Sequence, residues 1–595
     1  MQGLYLNQQP FVLATADPRL VLAFDVGTTF SGAAYAILDP GKIPKVLPIT
    51  RYPKQENGDF KIPSVLYYTQ DGKLRAAGAE ATTAEMKIAA EDEELIFVEW
   101  FKLHLRPMHL SGVKSGDLPP LPPGKSATDV LSDYLGYLYD CAKIYIQESH
   151  ASGDILWASL DNRIDFVLSH PNGWEGPQQS KMREAAIRAG LVPQIEAGRN
   201  RIHFVSEGEA SLHFCLDSGL ASEVTEAGEG VMIIDAGGGT VDISTYAIIK
   251  SSPITVEEIS SPECLLQGST RVNVRAQKFL EEKLNKSRFK DDISTIIERF
   301  DKATKLTFKD SNEKAYIQFG SARDRDLELG IRSGQLVLNG NDVAKFFQPS
   351  VESIIAAVRR QLRNTIGIDA IHTAFFVGGF AASPWLYSKL QAALNTTDLK
   401  LCRPDNHTNK AVAEGAISFF VEHYVTARVA KFTYGSEAAI PYDASDPEHI
   451  SRRSKAGMNL AGNLVLPDAF LPLLTKGTRV RNEEELTLDM MMNGLRPRDI
   501  GEIEADIICF RGKNKTPLFT DNQPAFFSTL CTIKGDTSNI PKERKRGPDG
   551  FYFTQEFSVV LLCGLTEMKA QLAWFKNGKE VRGPAQIVYD IEATG

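Results

Sequence analysis

The chain has 595 residues, with 66 basic and 75 acidic side chains giving a net charge of −9 at pH 7. That balance excludes a nucleic-acid or anionic-membrane partner held by bulk electrostatics. The length exceeds what one hydrophobic core supports, so two or three domains are expected, and 43% hydrophobic with 24% charged residues is ordinary for a globular protein in water.

From the N-terminus, Met1 to Arg19 hold no basic segment followed by an apolar run, so no secretory signal is expected. The run Val21–Leu38 is apolar but interrupted by Asp25, Gly27, Thr28 and Thr29, which rules it out as a membrane span. It reads as a buried strand ending at Asp25, a turn at Gly27-Thr28-Thr29, and a returning strand from Ala33 to Leu38. Lys102 follows two aromatics, Trp100 and Phe101, and taken alone is a snorkelling surface lysine. The Pro-rich stretch Leu118–Pro123 is a surface loop. Gly124-Lys125-Ser126 imitates the end of a Walker phosphate loop, but Pro119 stands where that loop needs glycine and no buried strand precedes it. A helix is predicted over Thr128–Glu148, where Val130, Leu131, Tyr134, Leu135, Leu138 and Ala142 recur at helical spacing.

Glu207, after Val205 and Ser206, reads as a helix-start carboxylate favoured by the helix dipole. Val231–Asp235 then repeats the opening pattern, turning at Gly237-Gly238-Gly239-Thr240 and returning from Ile243 to Ile249. The two aspartates, Asp25 and Asp235, stand 210 residues apart. Two such hairpins suggest a duplicated fold with facing lobes, and the strand–helix alternation from Val21 to about Val425 marks an α/β domain. A further helix is predicted over Val351–Leu362. Ala374–Val377 is a buried strand ending at Gly378-Gly379, and Ser383-Pro384 opens a helix. After Tyr434-Gly435 helical periodicity thins. Strands are predicted at Glu504–Phe510, Phe557–Leu562 and Ala570–Phe575, with turns at Pro548-Asp549-Gly550 and Asn577-Gly578. The basic cluster Lys542–Arg546 reads as a solvated loop, with a nuclear-import signal as the alternative. Ser436–Gly595 is therefore expected to be a mostly β C-terminal domain.

Glycine-rich hairpin tips let backbone N–H groups converge on a phosphate, and the threonines add hydroxyl donors. Asp25 and Asp235 at the strand ends suit Mg²⁺, which keeps much of its water and needs few protein ligands. Asp242 lies on the same strand face as Thr240 and is a third candidate. Backbone at Gly378-Gly379 can lie flat against a nucleoside.

In this order and spacing, the three glycine-bearing segments resemble the phosphate-1, phosphate-2 and adenosine motifs of the actin, hexokinase and heat-shock ATPase superfamily. Asp25 through Thr29 and Asp235 through Asp242 look like the heat-shock protein 70 branch, and the similarity runs from about Leu20 to Tyr434. It implies a duplicated, ribonuclease H-like two-lobe α/β ATPase domain over 20–435, with lobe I at about 20–207 plus 408–430 and lobe II at about 230–405, followed by the β domain over 436–595. It implies ATP or ADP with Mg²⁺ held through water by Asp25, Asp235 and Asp242. Lys102 matches the lysine that positions the attacking water, Glu207 the acid at the start of the cleft-closing helix, and Asp235 and Thr240 complete the catalytic set. The nucleotide-binding set is Gly27, Thr28, Thr29, Phe30, Gly237, Gly238, Gly239, Thr240, Gly268, Asp301, Lys305, Gly378, Gly379 and Phe380. Pro171 matches a proline that relays nucleotide state, and Ala411–Ala416 the second lobe-connecting helix.

The departures concern the base and the C-terminal region. The adenosine motif reads Gly378-Gly379-Phe380-Ala381-Ala382-Ser383-Pro384, without the usual serine and arginine, and Phe380 is expected to offer an aromatic face instead. On the adenosine helix Asp301 and Lys305 fit the pattern, while Thr304 and Phe308 do not. The acidic-apolar linker is replaced by Phe432–Ser436 and no lid helices are expected after Phe551, which implies weak coupling between domains. A chaperone-like ATPase whose β domain binds client proteins is the leading expectation. A nucleotide-sensing scaffold without significant hydrolysis and a small-molecule kinase are the alternatives. Seven scattered cysteines and ten histidines, without metal-site spacing, point to reduced thiols and away from zinc. A cytoplasmic monomer with no membrane span and no nucleic-acid partner is expected.

Overall fold

Both Asp-bearing segments fold as antiparallel hairpins. Arg19–Asp25 pairs with Phe30–Leu38, and Gly230–Ala236 pairs with Val241–Ser251. The structure is a computed structural model and describes residues 17–55, 58–107, 117–174, 176–218, 226–251, 253–365, 371–395, 397–403, 410–512, 516–564 and 567–587.

Each hairpin seeds a sheet of the same topology. In the first, the strand order is Leu47–Pro48, Phe30–Leu38, Arg19–Asp25, Ile164–His170, Ile202–Ser206, with the short strand Lys61–Pro63 also pairing to Phe30–Leu38. In the second, which has seven strands, the five consecutive ones that correspond are Ile254–Leu265, Val241–Ser251, Gly230–Ala236, Ile371–Val377, Lys400–Cys402. On one side the Asp-bearing strand meets its hairpin partner antiparallel; on the other it meets a parallel strand. Parallel strands are covered on both faces and so read as unbroken apolar runs. Leu20, Val21, Leu22 and Ala23, like Met232, Ile233 and Ile234, are accordingly fully buried. The result is a two-lobe actin-like α/β architecture, as the duplicated motifs imply.

The expected helix at 128–148 is Ala127–Ser149. Ser126, the end of the false phosphate loop, is its N-cap: its Oγ accepts from Asp129 N and its own N donates to the Asp129 carboxylate. The helix predicted at 351–362 is part of a longer one, Gly340–Asn364, that runs through Pro349. A proline inside a helix removes one backbone hydrogen bond, which is why periodicity alone stops short of it. Two helices, Glu207–Asp217 and Ala411–Glu422, cross so closely that a Cβ on Gly415 would lie 1.8 Å from the Ala210 carbonyl oxygen.

A second compact unit holds residues 426–595 together with 175–180. It is built from antiparallel sheets. One orders Gly457–Met458, Leu464–Leu474, Thr433–Pro441, Glu502–Phe510 and Phe527–Asp536. The other orders Glu484–Gly494, Gly550–Cys563, Met568–Lys576 and Lys579–Arg582, with Glu543–Gly547 and Gln586–Ile587 alongside. Ile503, Ile507, Ile533, Val559, Leu561 and Leu572 form its core. The strand Thr433–Pro441 runs through position 435, where its register against Leu464–Leu474 shifts, and Gly435 is paired to Pro472 and Ile508, so the boundary expected there falls within a strand. Asn577 and Gly578, with φ of 51° and 76°, make the left-handed hairpin turn their sequence calls for. The basic cluster is not a loop: Glu543–Gly547 is an edge strand on Gly550–Cys563, with the Arg544 guanidinium 3.7 Å from the Phe551 ring centroid. Its alternation of outward charges hid the pairing from a reading based on charge density. Among the described residues no helix is long and apolar enough to cross a membrane, and no disulfide joins any of the seven cysteines, six of which are buried.

Candidate functional site

The two glycine-bearing tips meet. A Cβ on Gly238 would stand 2.3 Å from Thr29 Oγ1, and one on Gly239 would stand 2.2 Å from Thr28 Oγ1, so only glycine permits this approach. A phosphate held by both tips must part them or sit at the rim of their contact. The second tip is closed by Gly237 N donating to Thr240 O at 2.9 Å. It is braced by the start of the helix Ser269–Leu284, where Gly268 N, Ser269 N and Thr270 N donate to Gly239, Gly237 and Gly238 carbonyls. Gly268 thus acts on the tip through its backbone. Phe30 begins the returning strand of the first tip and is exposed.

Beneath the tips lies a floor of charge. The two lobes contribute corresponding rungs of strand pairing: Asp25 lies opposite Gly32, which lies opposite Lys61, and Asp235 lies opposite Asp242, which lies opposite Cys264. Lys61 Nζ donates to Asp25 Oδ2 at 2.8 Å and Ser169 Oγ donates to Asp25 Oδ1 at 2.8 Å. Burial pushes the Asp25 carboxyl up, but the charges of Lys61 and Lys102, with hydrogen bonds from Lys61 and Ser169, outweigh it and hold it below the ordinary value. Burial pushes Lys61 down, and contact with Asp25 reverses that.

Asp235 is different. Ser211 Oγ donates to its Oδ2 at 2.7 Å, yet burial, followed by the nearby Glu207 charge, pushes the carboxyl up to about 7. Asp242 is raised as well, by burial and then Glu207. Its Oδ1 accepts from Asn172 N at 2.6 Å, while Oδ2 is buried without a hydrogen bond. Gly378, with φ of 89°, packs against this group: a Cβ there would stand 2.4 Å from Asp235 Oδ1. Two facts disfavour any other residue, since the backbone is left-handed and the carboxylate is already in contact.

Lys102 is not on the surface. It is 4% exposed, in a short helical turn Phe101–Leu105, and its Nζ donates to Glu207 Oε1 at 2.6 Å. Glu207 starts the helix Glu207–Asp217, capped by Ser206. One turn later that helix carries Ser211, so a single element holds the partners of both Lys102 and Asp235. Pro171 follows the strand Ile164–His170 and precedes Asn172, the residue that binds Asp242.

The adenosine side is assembled in part. Asp301 and Lys305 are ion-paired, and Asn273 bridges them, donating to Asp301 at 2.8 Å and accepting from Lys305 at 3.1 Å. Asp301 lies within a π turn, Phe300–Thr304, and Lys305 follows it directly. Phe380 does not present its ring: it is 4% exposed and stacks on Phe347 in the lobe II core, with ring centroids 6.2 Å apart. An aromatic after Gly-Gly is apolar enough to complete the core, leaving backbone at Gly378 and Gly379 to face outward. Phe308 is likewise in the core, against Trp385.

Sequence reasoning missed Lys61, Ser169, Asn172, Ser211 and Asn273. Ser211 carried a signal, being one helical turn from Glu207. Lys61 carried none, because only strand register brings it to Asp25.

No family model matches the chain. It is 22% identical to human heat shock 70 kDa protein 12B, with 71% of each chain covered. It is also 22% identical to mouse heat shock 70 kDa protein 12A, over 71% of this chain and 74% of the relative. With its duplicated hairpins, paired sheets and β-rich C-terminal unit, the chain is a divergent relative of the heat shock 70 kDa proteins.

Proposed function

We propose that the chain binds ATP between the two hairpin tips and hydrolyses it slowly with magnesium, water being the acceptor. The observation that carries this reading is the meeting of Gly238 and Gly239 with Thr29 and Thr28 above a floor of four carboxylates and two lysines. Phosphoryl transfer needs positioning and charge stabilisation more than covalent help. Lys102 can supply both, since Glu207 fixes its ammonium and the pair is buried enough for its charge to act at short range. Thr28, Thr29 and Thr240 offer hydroxyl donors to phosphate oxygens.

The fit to magnesium is uneven. Among the described residues no three His, Cys, Asp or Glu side chains converge closely enough to bind a metal directly, which favours contact through water. Asp235 and the unpartnered Oδ2 of Asp242 suit such contact, whereas Asp25 already holds an ammonium. Magnesium, when bound, supplies charge neutralisation at the phosphates.

A second reading, a nucleotide-sensing scaffold, is favoured by one observation: the Phe380 and Phe308 rings are committed to the core, so the base has fewer side-chain contacts. Binding of client proteins is assigned to the β-rich unit on the likeness to chaperones. The strand Glu484–Gly494, paired on one edge only among the described residues, is the place where an extended peptide could add. Calorimetry with ATP and ADP, followed by phosphate release, tests the main reading. Binding with measurable release supports it, binding without release supports the scaffold, and no binding in millimolar Mg²⁺ overturns both.

A further inference from the structure

Lys61 is an unexpected cation at the heart of the cleft. Its position follows from backbone register. The strand Lys61–Pro63 pairs with Phe30–Leu38 so that Lys61 faces Gly32, which faces Asp25. The lysine side chain crosses Gly32 to reach the carboxylate, and a Cβ on Gly32 would come within 3.2 Å of Lys61 Cγ and 2.8 Å of the Phe60 carbonyl oxygen. The Lys61 side chain is 18% exposed, and the Asp25 side chain it binds only 4%. Asp25 has both oxygens engaged, one by Lys61 and one by Ser169. A hydrated divalent cation approaching Asp25 would have to displace an ammonium or sit beside it against like charge.

We propose, resting on the nucleotide-binding reading, that Lys61 is a built-in counter-cation for the phosphates at the first hairpin tip, so that nucleotide binds with little dependence on magnesium. An ammonium carries three N–H donors. One is directed to Asp25, which orients the group at the strand end two residues before Gly27. The others can be shared with a phosphate oxygen, an interaction strengthened by charge. Any metal then belongs to the other rung, at Asp235 and Asp242, where Cys264 stands in the place of Lys61, so that no carboxylate there is hydrogen-bonded by an ammonium of its own rung, although the Lys61 charge reaches Asp235 from the first.

The test is calorimetric titration of the full-length protein with ADP and with ATP, in millimolar Mg²⁺ and in excess EDTA. For the unaltered chain, chelation should weaken binding by less than about tenfold, whereas in Lys61→Met it should cost about a hundredfold or more, and Lys61→Arg should stay near the unaltered chain. Lys61→Met leaves Asp25 buried and unpaired, so the double variant Lys61→Met with Asp25→Asn, which removes both charges, serves as the folded control and should show the same sensitivity to EDTA. Loss of binding by the unaltered chain on chelation overturns the proposal, as does a double variant that binds equally well with and without EDTA; nucleotide binding in Mg²⁺ would still stand in either case. Absence of binding by the unaltered chain in both conditions removes the nucleotide reading itself and this proposal with it.

Discussion

The two hairpins are the same object built twice, yet their aspartates live in opposite electrostatic worlds. Asp25 is held ionised by Lys61 across Gly32, while Asp235 faces Asp242 and Glu207 and is pushed up to about 7 by burial and that neighbouring charge. Backbone register is therefore shared between the lobes, and the difference is carried by two rung positions: Gly32 against Asp242, and Lys61 against Cys264. A duplicated scaffold fixes where a side chain stands without fixing its charge. The first lobe carries its own cation; the second carries surplus negative charge that a ligand must neutralise.

The largest expected effect attacks the first rung. Lys61→Met should lower nucleotide-free stability at pH 7 by about 2–4 kcal/mol, because one partner of a mostly buried pair is left behind. Asp25 has a depressed carboxyl, so its contribution is present above the ordinary carboxylate pKa and lost as pH falls through the lowered value. Denaturant melts in acid should accordingly show the cost of Lys61→Met shrinking. A variant as stable as the original at neutral pH would mean that the ion pair does not distinguish the lobes.

Next in size, Lys102→Ala should slow phosphate release by roughly 10- to 100-fold while changing ATP affinity by only about threefold, as expected for a group acting mainly on the transition state. Equal losses in both would recast Lys102 as a binding residue.

The third prediction has the opposite sign to the first. Because the Asp235 pKa is raised, the folded chain holds that proton more tightly than the unfolded one, so its contribution to stability falls as pH rises from about 4 towards about 7. Asp235→Asn should therefore stabilise the nucleotide-free protein by about 1–3 kcal/mol at pH 8 and not at pH 4. Destabilisation at both pH values would break the contrast between the rungs. The smallest effect concerns the base. Each missing side-chain contact is worth on the order of 1 kcal/mol, so competition titrations should show modest preference for ATP over GTP. A preference of several thousandfold would require base contacts beyond Asp301, Lys305 and the Gly378-Gly379 backbone.

The hairpins are readable because their signal is local: an apolar strand, an aspartate and a glycine tip lie within a few residues. A helix start is readable for the same reason at Ser383, whereas the N-cap at Ser126 is hidden behind the false phosphate loop. What sequence does not reveal is register across distant strands, which brings Lys61 to Asp25, and the direction of a ring, which takes Phe380 into the core. Lys102 taken alone points the wrong way, since a lysine beside aromatics reads as a snorkelling surface residue; only the likeness to a family points inward. The π turn at Phe300–Thr304 and the strand through Gly435 are hidden because each depends on neighbours far away in the chain.

The helix Glu207–Asp217 acts as a ruler. Glu207 grips Lys102 and Ser211 grips Asp235, and the rise between them is set by four residues of helix, about 6 Å at 1.5 Å per residue. The helix cannot stretch, and Gly415 lets its neighbour lie so close that it has little room to tilt. Any motion that moves Lys102 and Asp235 apart by more than an ångström or so must break one grip or the other. Separating Lys102 from Asp235 therefore costs one of these two hydrogen bonds, and Ser211→Ala would erase the graduation on the lobe II side while leaving the other mark in place.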